Sequence, residues 1–278
     1  MFYYVQQEEK REFLKVVFFD VGQGDSIWIE APNGNHLLID GGPSAATVRH
    51  ISHQLPFYDR HLSMILATHH DLDHTGGFPE ILKRYRVDKY GTPLTGDNSG
   101  LYFEIEKTIK SQKNEKFILK AGDRIFLDKK ENIYIDILWP PEGQEFEDKN
   151  DASVITKITY KNTSFLLTGD APQEVEEKVV NVFKYGGVKK GDEKLLIDFI
   201  QSQVLKAGHH GSKTSSSEKF VKAINPEFVV ISAGLDNKFG HPHEEVVNLL
   251  KDLGIKKLET FASSSITFFS DGEKVWLE

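Results

Sequence analysis

The chain contains no cysteine. That excludes thiolate metal sites, catalytic thiols and disulfides, so any bound cation must be held by histidine and carboxylate. It also leaves the redox compartment open, because a chain without thiols is indifferent to it. No apolar run approaches the roughly 20 residues of a membrane span. The opening "MFYYV" is too short for the apolar core of a secretory signal and runs straight into "QQEEKRE". The sequence therefore reads either as soluble in itself or as part of a longer protein with an upstream segment. Positive charge is also short: 34 Lys and Arg against 42 Asp and Glu leave a net charge of −8. A protein that depends on non-specific duplex binding is usually basic, but bound divalent cations would reverse the sign locally without entering that count. The 39% hydrophobic and 27% charged residues are an ordinary globular balance, and 278 residues suffice for one well-covered core.

No internal repeat or linker divides the sequence, so one domain over residues 1–278 is expected. "FLKVVFFDV" is a β-rich run that ends at the glycine-rich turn "GQGDS", and "IWIE" and "HLLID" flank Asn33-Gly34, a hairpin signal. "SAATVRHISHQL" predicts a short helix with Ser44 as its N-cap. "LSMILAT" predicts a buried strand that delivers the chain to His69, "GGFPEILKRY" a helix, and residues 102–112 a weaker one. "KFILK", "DRIFL" and "IYIDILW" read as strands, and "SVITKITY" and "SFLLTGD" as an antiparallel pair. "PQEVEEKVVNVFKY" carries Val175, Val179, Val180 and Phe183 on one helical face, and "GGVKKGDEK" reads as a solvated loop. "VLKAGHHGS" repeats the strand-to-histidine pattern. "FVVISAG", the helix "HEEVVNLLKDLG" and the strands "KLETF", "SITFFS" and "KVWLE" complete the order. Strands with helices interspersed in both halves suit two packed sheets with helices outside, an α/β layered sandwich.

"ATHHDLDHTGG", Ala67 to Gly77, places His69, His70, Asp71, Asp73 and His74 within six consecutive positions. Like charges this close repel, and packing gives no reason to gather them, whereas a bound cation does. In a loop, alternate side chains can point inward, so that His69 and Asp71 serve one cation and Asp73 and His74 a neighbouring one. The plainer alternative is a polar surface loop, which the density of ionisable groups between a buried strand and "TGG" makes the poorer account. Asp170, at the end of "FLLTGD", could cap a helix beginning at Pro172, yet a carboxylate with two oxygens is also the natural bridge between two cations. In "LKAGHHGSKTSSS", one of His209 and His210 is expected to complete the second cation's shell. His210 is favoured because the glycine after it permits a turn toward the metal. The Ser/Thr tail could serve only as N-caps for "EKFVKAI". His241 and His243 in "NKFGHPHEEVV" are weaker candidates, and Asp40 in "LLIDGG" could orient a ligand histidine. "DVGQGDS" lacks the ending of a P-loop, so its glycines are read as allowing a tight turn near the metals.

"DVGQGDS", "LLIDGG", "THHDLDHTGG", "LLTGD", "LKAGHHGSKTSSS" and "GHPH" occur in that order from Asp20 to His243. Together they resemble the metallo-hydrolase domain of the ComEC competence-protein family, within the metallo-β-lactamase fold. The resemblance implies an αββα four-layer sandwich, a two-metal site and hydrolytic chemistry. It also implies a link to DNA uptake, in which the domain is proposed to degrade the non-transforming strand. It puts His69 and Asp71 on the first-metal positions, Asp73 and His74 on the second, Asp170 on the bridging carboxylate and "HHG" on the late histidine. One departure stands out: the mid-chain ligand histidine of the wider superfamily is absent, since no histidine occurs from Ala121 to Asp170. Asn150, Asp151 or Ser153 of "KNDASV" could replace it.

The expected function is metal-assisted hydrolysis of a phosphodiester, DNA that is single-stranded or short, by a water activated between two cations. Asp73 and Asp170 act through the cations they hold, and His209, His241 or His243 through contacts with phosphoryl oxygens. Carboxylates without thiolates form a hard ligand set, so manganese is expected to compete with zinc. The alternatives are β-lactam or lactone hydrolysis, and a metal-free binding module without catalysis. Such a domain would work outside the cytoplasm if carried by a ComEC-like membrane protein, and in the cytoplasm otherwise.

Overall fold

The computed structural model describes residues 12–185 and 199–278. Strand β1 (Leu14–Phe18) pairs with β2 (Ile27–Glu30), and β2 turns through Asn33 and Gly34 into β3 (His36–Ile39). Gly34 takes φ +84°, which the tight turn requires and which costs glycine little. Helix α1 (Ala46–Gln54), β4 (His61–Leu66), the single turn α2 (Leu72–Thr75), α3 (Phe78–Arg84) and β5 (Arg86–Thr92) follow. Next come α4 (Gly100–Gln112), β6 (Glu115–Ile118), β7 (Arg124–Asp128), β8 (Ile133–Trp139), β9 (Ile155–Tyr160) and β10 (Thr163–Leu167). The second half adds α5 (Gln173–Tyr185), β11 (Val204–Lys206), α6 (Glu218–Ile224), β12 (Phe228–Ile231) and α7 (Glu244–Asp252). It closes with β13 (Lys256–Glu259), α8 (Thr260–Ser263), β14 (Ile266–Ser270) and β15 (Val275–Leu277).

The strands form an eight-stranded sheet, β15-β14-β1-β2-β3-β4-β5-β6, and a seven-stranded sheet, β13-β12-β11-β10-β9-β8-β7. Each is antiparallel on one side and parallel on the other. The inner faces meet in a core that includes Phe18, Leu37, Ile135, Ile158 and Phe165. Phe268 of β14 ties the two sheets together: its ring lies 6.0 Å from Phe165 and 5.4 Å from Phe228, both at edge-on angles favourable for aromatic contact. Outside the first sheet α1, α3 and α4 bury Ile51, Phe78, Ile81 and Ile105. Outside the second, α5, α6 and α7 bury Val175, Val179, Phe220 and Val246. This is the expected αββα sandwich.

Local departures have local causes. Helix α1 is capped by Ala45, not Ser44. The Ser44 hydroxyl still accepts from the Ala46 amide at 3.3 Å, one position early. Strand β5 went unread because Arg86, Asp88 and Lys89 point outward and break up its apolar positions Val87 and Tyr90. Ser217 caps α6 as the Ser/Thr tail suggested. The Phe183 side chain and the "GGVKKGDEK" loop lie outside the described residues. No helix among the described residues is long and apolar enough to cross a membrane.

Candidate metal centre

The carboxyl ends of β3, β4, β10, β11 and β12 open onto one rim, where an α/β sheet characteristically presents its chemistry. Past β4 the chain gives Thr68 and His69, then Asp71. It then closes into α2, where the His74 and Thr75 amides bond the Asp71 carbonyl at 3.1 and 2.9 Å. Asp73 and His74 thus sit on a helical turn and not on an extended loop, because those two bonds wind the segment. Past β10 comes Asp170, and past β11 the turn Gly208–Gly211. His209 and His210 adopt φ +47° and +56° there. Left-handed backbone of this kind costs about 1–3 kcal/mol per non-glycine residue and tends to be kept where it aims a functional side chain.

Hydrogen bonds fix three imidazoles in one sense. The Asp40 carboxylate accepts from the Thr68 amide at 2.8 Å, the Thr68 hydroxyl at 2.7 Å and His74 Nδ1 at 2.7 Å. With its proton given to Asp40, the Thr68 oxygen accepts from His69 Nδ1 at 3.1 Å. His210 Nδ1 donates to the Ser232 carbonyl at 2.8 Å. In the neutral rings all three Nε2 atoms would therefore carry the lone pair, and all three are buried without a hydrogen-bond partner, as is Asp170 Oδ1. Orphaned buried polar atoms are costly. Here they converge: Asp170 lies 3.3 Å from His74 Nε2, 3.4 Å from His210 Nε2 and 3.9 Å from His69 Nε2, and Asp73 lies 3.3 Å from His210 Nε2. Among the described residues, Asp25, His74, Asp170 and His210 form a cluster whose donor atoms lie within 4.8 Å of one another. The donor set fits a divalent cation, and Asp40 behind His74 is the carboxylate–histidine support such a ligand needs.

The charges interlock. Burial would raise the Asp170 carboxyl, but His210 and His74 hold it well below the usual carboxylate range. Burial would lower His74 and His210, but Asp170 together with Asp40 at His74, and with Asp25 and Asp73 at His210, outweighs it, so both rise well above an ordinary histidine and each holds a proton that a bound cation would displace. His69 is driven well below the ordinary value by burial and then by His74, so it is neutral and ready to donate its lone pair.

The remaining candidates fall at graded distances. His209 Nε2 lies 3.7 Å from Asp170 with the side chain 31% exposed, so it faces the opening. The His241 ring lies 5.6 Å from His209, and burial, reinforced by the neighbouring His209, lowers its pKa to about 4. His243 stands one ring further out, 4.8 Å from His241, with Nδ1 accepting from the Lys213 amide at 3.0 Å. Asp71 Oδ2 lies 3.7 Å from His69 Nε2. Of the mid-chain trio, Asn150 has a buried side-chain oxygen without a partner, while the Ser153 hydroxyl accepts from the Asp170 amide at 3.3 Å. Asp151 faces a cavity of about 400 Å³ that also borders Asp148, Glu174 and His209. His70 is turned away, its ring 4.7 Å from Tyr102.

Two central residues escaped the sequence reading. Asp25, in the turn taken as merely tight, lies 3.5 Å from His210 Nδ1 and 2.5 Å from the ammonium of Lys206, which is fully buried at the end of β11. The signal for Lys206 was there: a lysine inside the apolar run "VLKAG". Gly24 is needed for close approach as well as conformation, since a Cβ at its φ of +131° would come within 2.2 Å of the Asp73 carbonyl.

The sequence pattern of the Metallo-beta-lactamase superfamily matches residues 19–234. The chain belongs to that superfamily. Among curated relatives of this metallo-beta-lactamase chain, ComE operon protein 3 of Bacillus subtilis (strain 168) is 30% identical over 276 residues, covering 91% of this chain and 33% of that protein. Competence protein ComA of Neisseria gonorrhoeae is 33% identical over 254 residues, covering 91% and 32% respectively. The chain thus spans about a third of the length of these competence proteins. In fold it is similar to the metallo-beta-lactamase fold protein YhfI from Bacillus subtilis, with TM-score 0.58 at 10% identity over 92% of this chain and 100% of that one.

Behind the His209–His210 turn, Glu176 of α5 is fully buried and accepts the Ser216 and Ser217 amides at 2.5 and 2.9 Å. Burial outweighs those bonds and pushes its carboxyl up to about 7 from 4.5. Between these values the folded chain holds a proton the unfolded chain lacks, so this group's stabilisation is full below about pH 4.5 and is lost as pH rises through about 7. The loss is at most about 3 kcal/mol. Glu176→Gln should remove that slope. Urea unfolding at pH 5 and pH 8 is expected to show wild type losing roughly 2–3 kcal/mol relative to the variant. Parallel behaviour would mean that the two amides keep Glu176 ionised throughout.

Proposed function

We propose that this metal-dependent hydrolase is a binuclear phosphodiesterase acting on single-stranded or short DNA, with manganese or zinc as its cations. The observation that carries it is the convergence of three buried, unpartnered Nε2 atoms on Asp170. Asp73, His74 and His210 would hold the second cation, His69 and Asp71 the first, and Asp170 would bridge. Bound, the cations supply an acidified water and positive charge for the reacting group. His209 is the side chain placed to donate to a phosphoryl oxygen at the opening, with the neutral His241 behind it.

Charge favours phosphate over a neutral ring. Two divalent cations bring about four positive charges, and Asp71, Asp73 and Asp170 offset about three. Asp25 and Lys206 cancel, as do Asp40 behind His74 and Lys149 beside Asp71, so the pocket stays slightly positive within an acidic protein. The carboxylates of Asp148, Asp151 and Glu174 beside His209 would repel a long duplex. The resemblance to competence proteins supports DNA as the polymer.

The test is to strip the protein with chelator, add back manganese or zinc, and assay single-stranded oligonucleotide, duplex, a chromogenic β-lactam and a lactone. Cleavage of the single strand, restored by manganese, is the expected result. Turnover of β-lactam or lactone alone would replace the phosphodiester reading with the ring-opening one. Restoration by zinc and never by manganese would refute the hard-ligand argument.

A further inference from the structure

The two proposed cation positions are not equally free. Among the described residues, Asp73, His74 and His210 meet no ammonium nearer than Lys206, which is engaged with Asp25. Asp71 is different: its Oδ1 is 2.5 Å from Lys149 Nζ, while its Oδ2 faces His69. Lys149 opens the turn Asn150–Ala152, where its carbonyl accepts the Ala152 amide at 3.1 Å, so its backbone is fixed in the stretch that lacks the superfamily's histidine. A second acceptor stands within reach. Asp97 Oδ1 lies 3.8 Å from the same Nζ, and Asp97 Oδ2 is buried without a hydrogen-bond partner.

We propose that Lys149 is an internal cation that competes with the first metal ion for Asp71, making that site the weaker of the two, and that Asp97 receives the ammonium when the metal arrives. This rests on the two-cation reading above. The opposite role is that Lys149 merely orients Asp71 and so strengthens the site. Magnitudes decide between them. Lys149 and Asp71 are both more than one-third exposed, at 41% and 37%, and such a pair holds its geometry with a gain of about fivefold at most. An ammonium and a divalent cation sharing one carboxylate repel by on the order of tenfold or more even with water-like screening. Repulsion wins, and removing the ammonium should tighten the first site.

The experiment titrates metal-free wild type, Lys149→Met and Asp97→Asn with manganese alone, counting free ion by electron paramagnetic resonance and heat by calorimetry, so that no turnover is needed. Wild type should bind two equivalents in unequal steps. In Lys149→Met the weaker step should tighten on the order of tenfold, with the tighter step moving less than about twofold. In Asp97→Asn, which removes the charge that would receive the ammonium, the weaker step should loosen about threefold. Equal steps in wild type, or a weaker step in Lys149→Met that loosens or moves less than about threefold, would overturn the competition while leaving the metal centre standing. Failure of every protein to bind manganese would overturn the metal reading, and the competition with it.

Discussion

Asp170→Asn is expected to strip the protein of metal and abolish hydrolysis while leaving its fold in place. Asn keeps the shape and one acceptor oxygen but removes the charge facing His74, His210 and His69. Losing a residue that only supports a ligand typically costs 10–100-fold in metal affinity, so losing the proposed bridging ligand should cost at least about 100-fold. The competing role, a cap for the following helix, has no support in the geometry. The Gln173 amide bonds the Thr214 carbonyl, and those of Val175 and Glu176 bond Pro172. In chelator the variant should keep the wild-type circular dichroism spectrum and a single cooperative transition, melting lower because the buried contacts of the carboxylate with His74 and His210 are lost. With metal added, wild type should gain stability in proportion to the logarithm of free metal over its dissociation constant, and the variant should not. A variant that kept metal-induced stabilisation and full rate would show that Asp170 is not the bridge.

Much of the fold could be read because the runs forming it are apolar and bounded by turn residues. "IYIDILW" and "SFLLTGD" are buried on both faces, so continuous hydrophobicity marks them directly. Strand β5 escaped because a lysine pointing outward looks the same in sequence whether it leaves a strand or a loop. The metal centre was partly legible for a similar reason. Crowded charge in "HHDLDH" has few explanations, whereas a lone Asp25 or Lys206 has many, and only the packing of β11 against the turn after β1 brings those two together. The choice between His209 and His210 was legible only as a preference for His210, drawn from the glycine that follows it. It depends on consecutive left-handed residues that bury one ring at 1% exposure and leave the other at 31%.

Lys206→Met is expected to produce the largest loss of stability among these substitutions. The ammonium is fully buried, 2.5 Å from Asp25, 2.9 Å from the Gly169 carbonyl and 3.8 Å from Asp170. Burial would lower the lysine, but Asp25 and Asp170 hold it above its ordinary value. Burial would likewise raise the Asp25 carboxyl, but Lys206 and then His210 hold it well below. Both groups are therefore charged at neutral pH. The pair as a whole contributes little net stability, since desolvating two ions roughly offsets their attraction. Removing one member is another matter: Met fills the space, yet it leaves a buried carboxylate uncompensated, at about 3–5 kcal/mol. Asp25→Asn with Lys206→Met removes both charges and should recover most of that loss. Urea unfolding of the two single variants and the double variant, all in chelator so that metal binding does not contribute, gives the coupling as a double-mutant cycle. A single variant costing under about 1 kcal/mol, or a double variant no better than the sum of the singles, would mean that water or the neighbouring histidines satisfy Asp25 without Lys206. The expected coupling would instead make this ion pair the internal strut that fixes the turn after β1 against β11, and so sets Asp73 and Asp170 on one side of the same cleft.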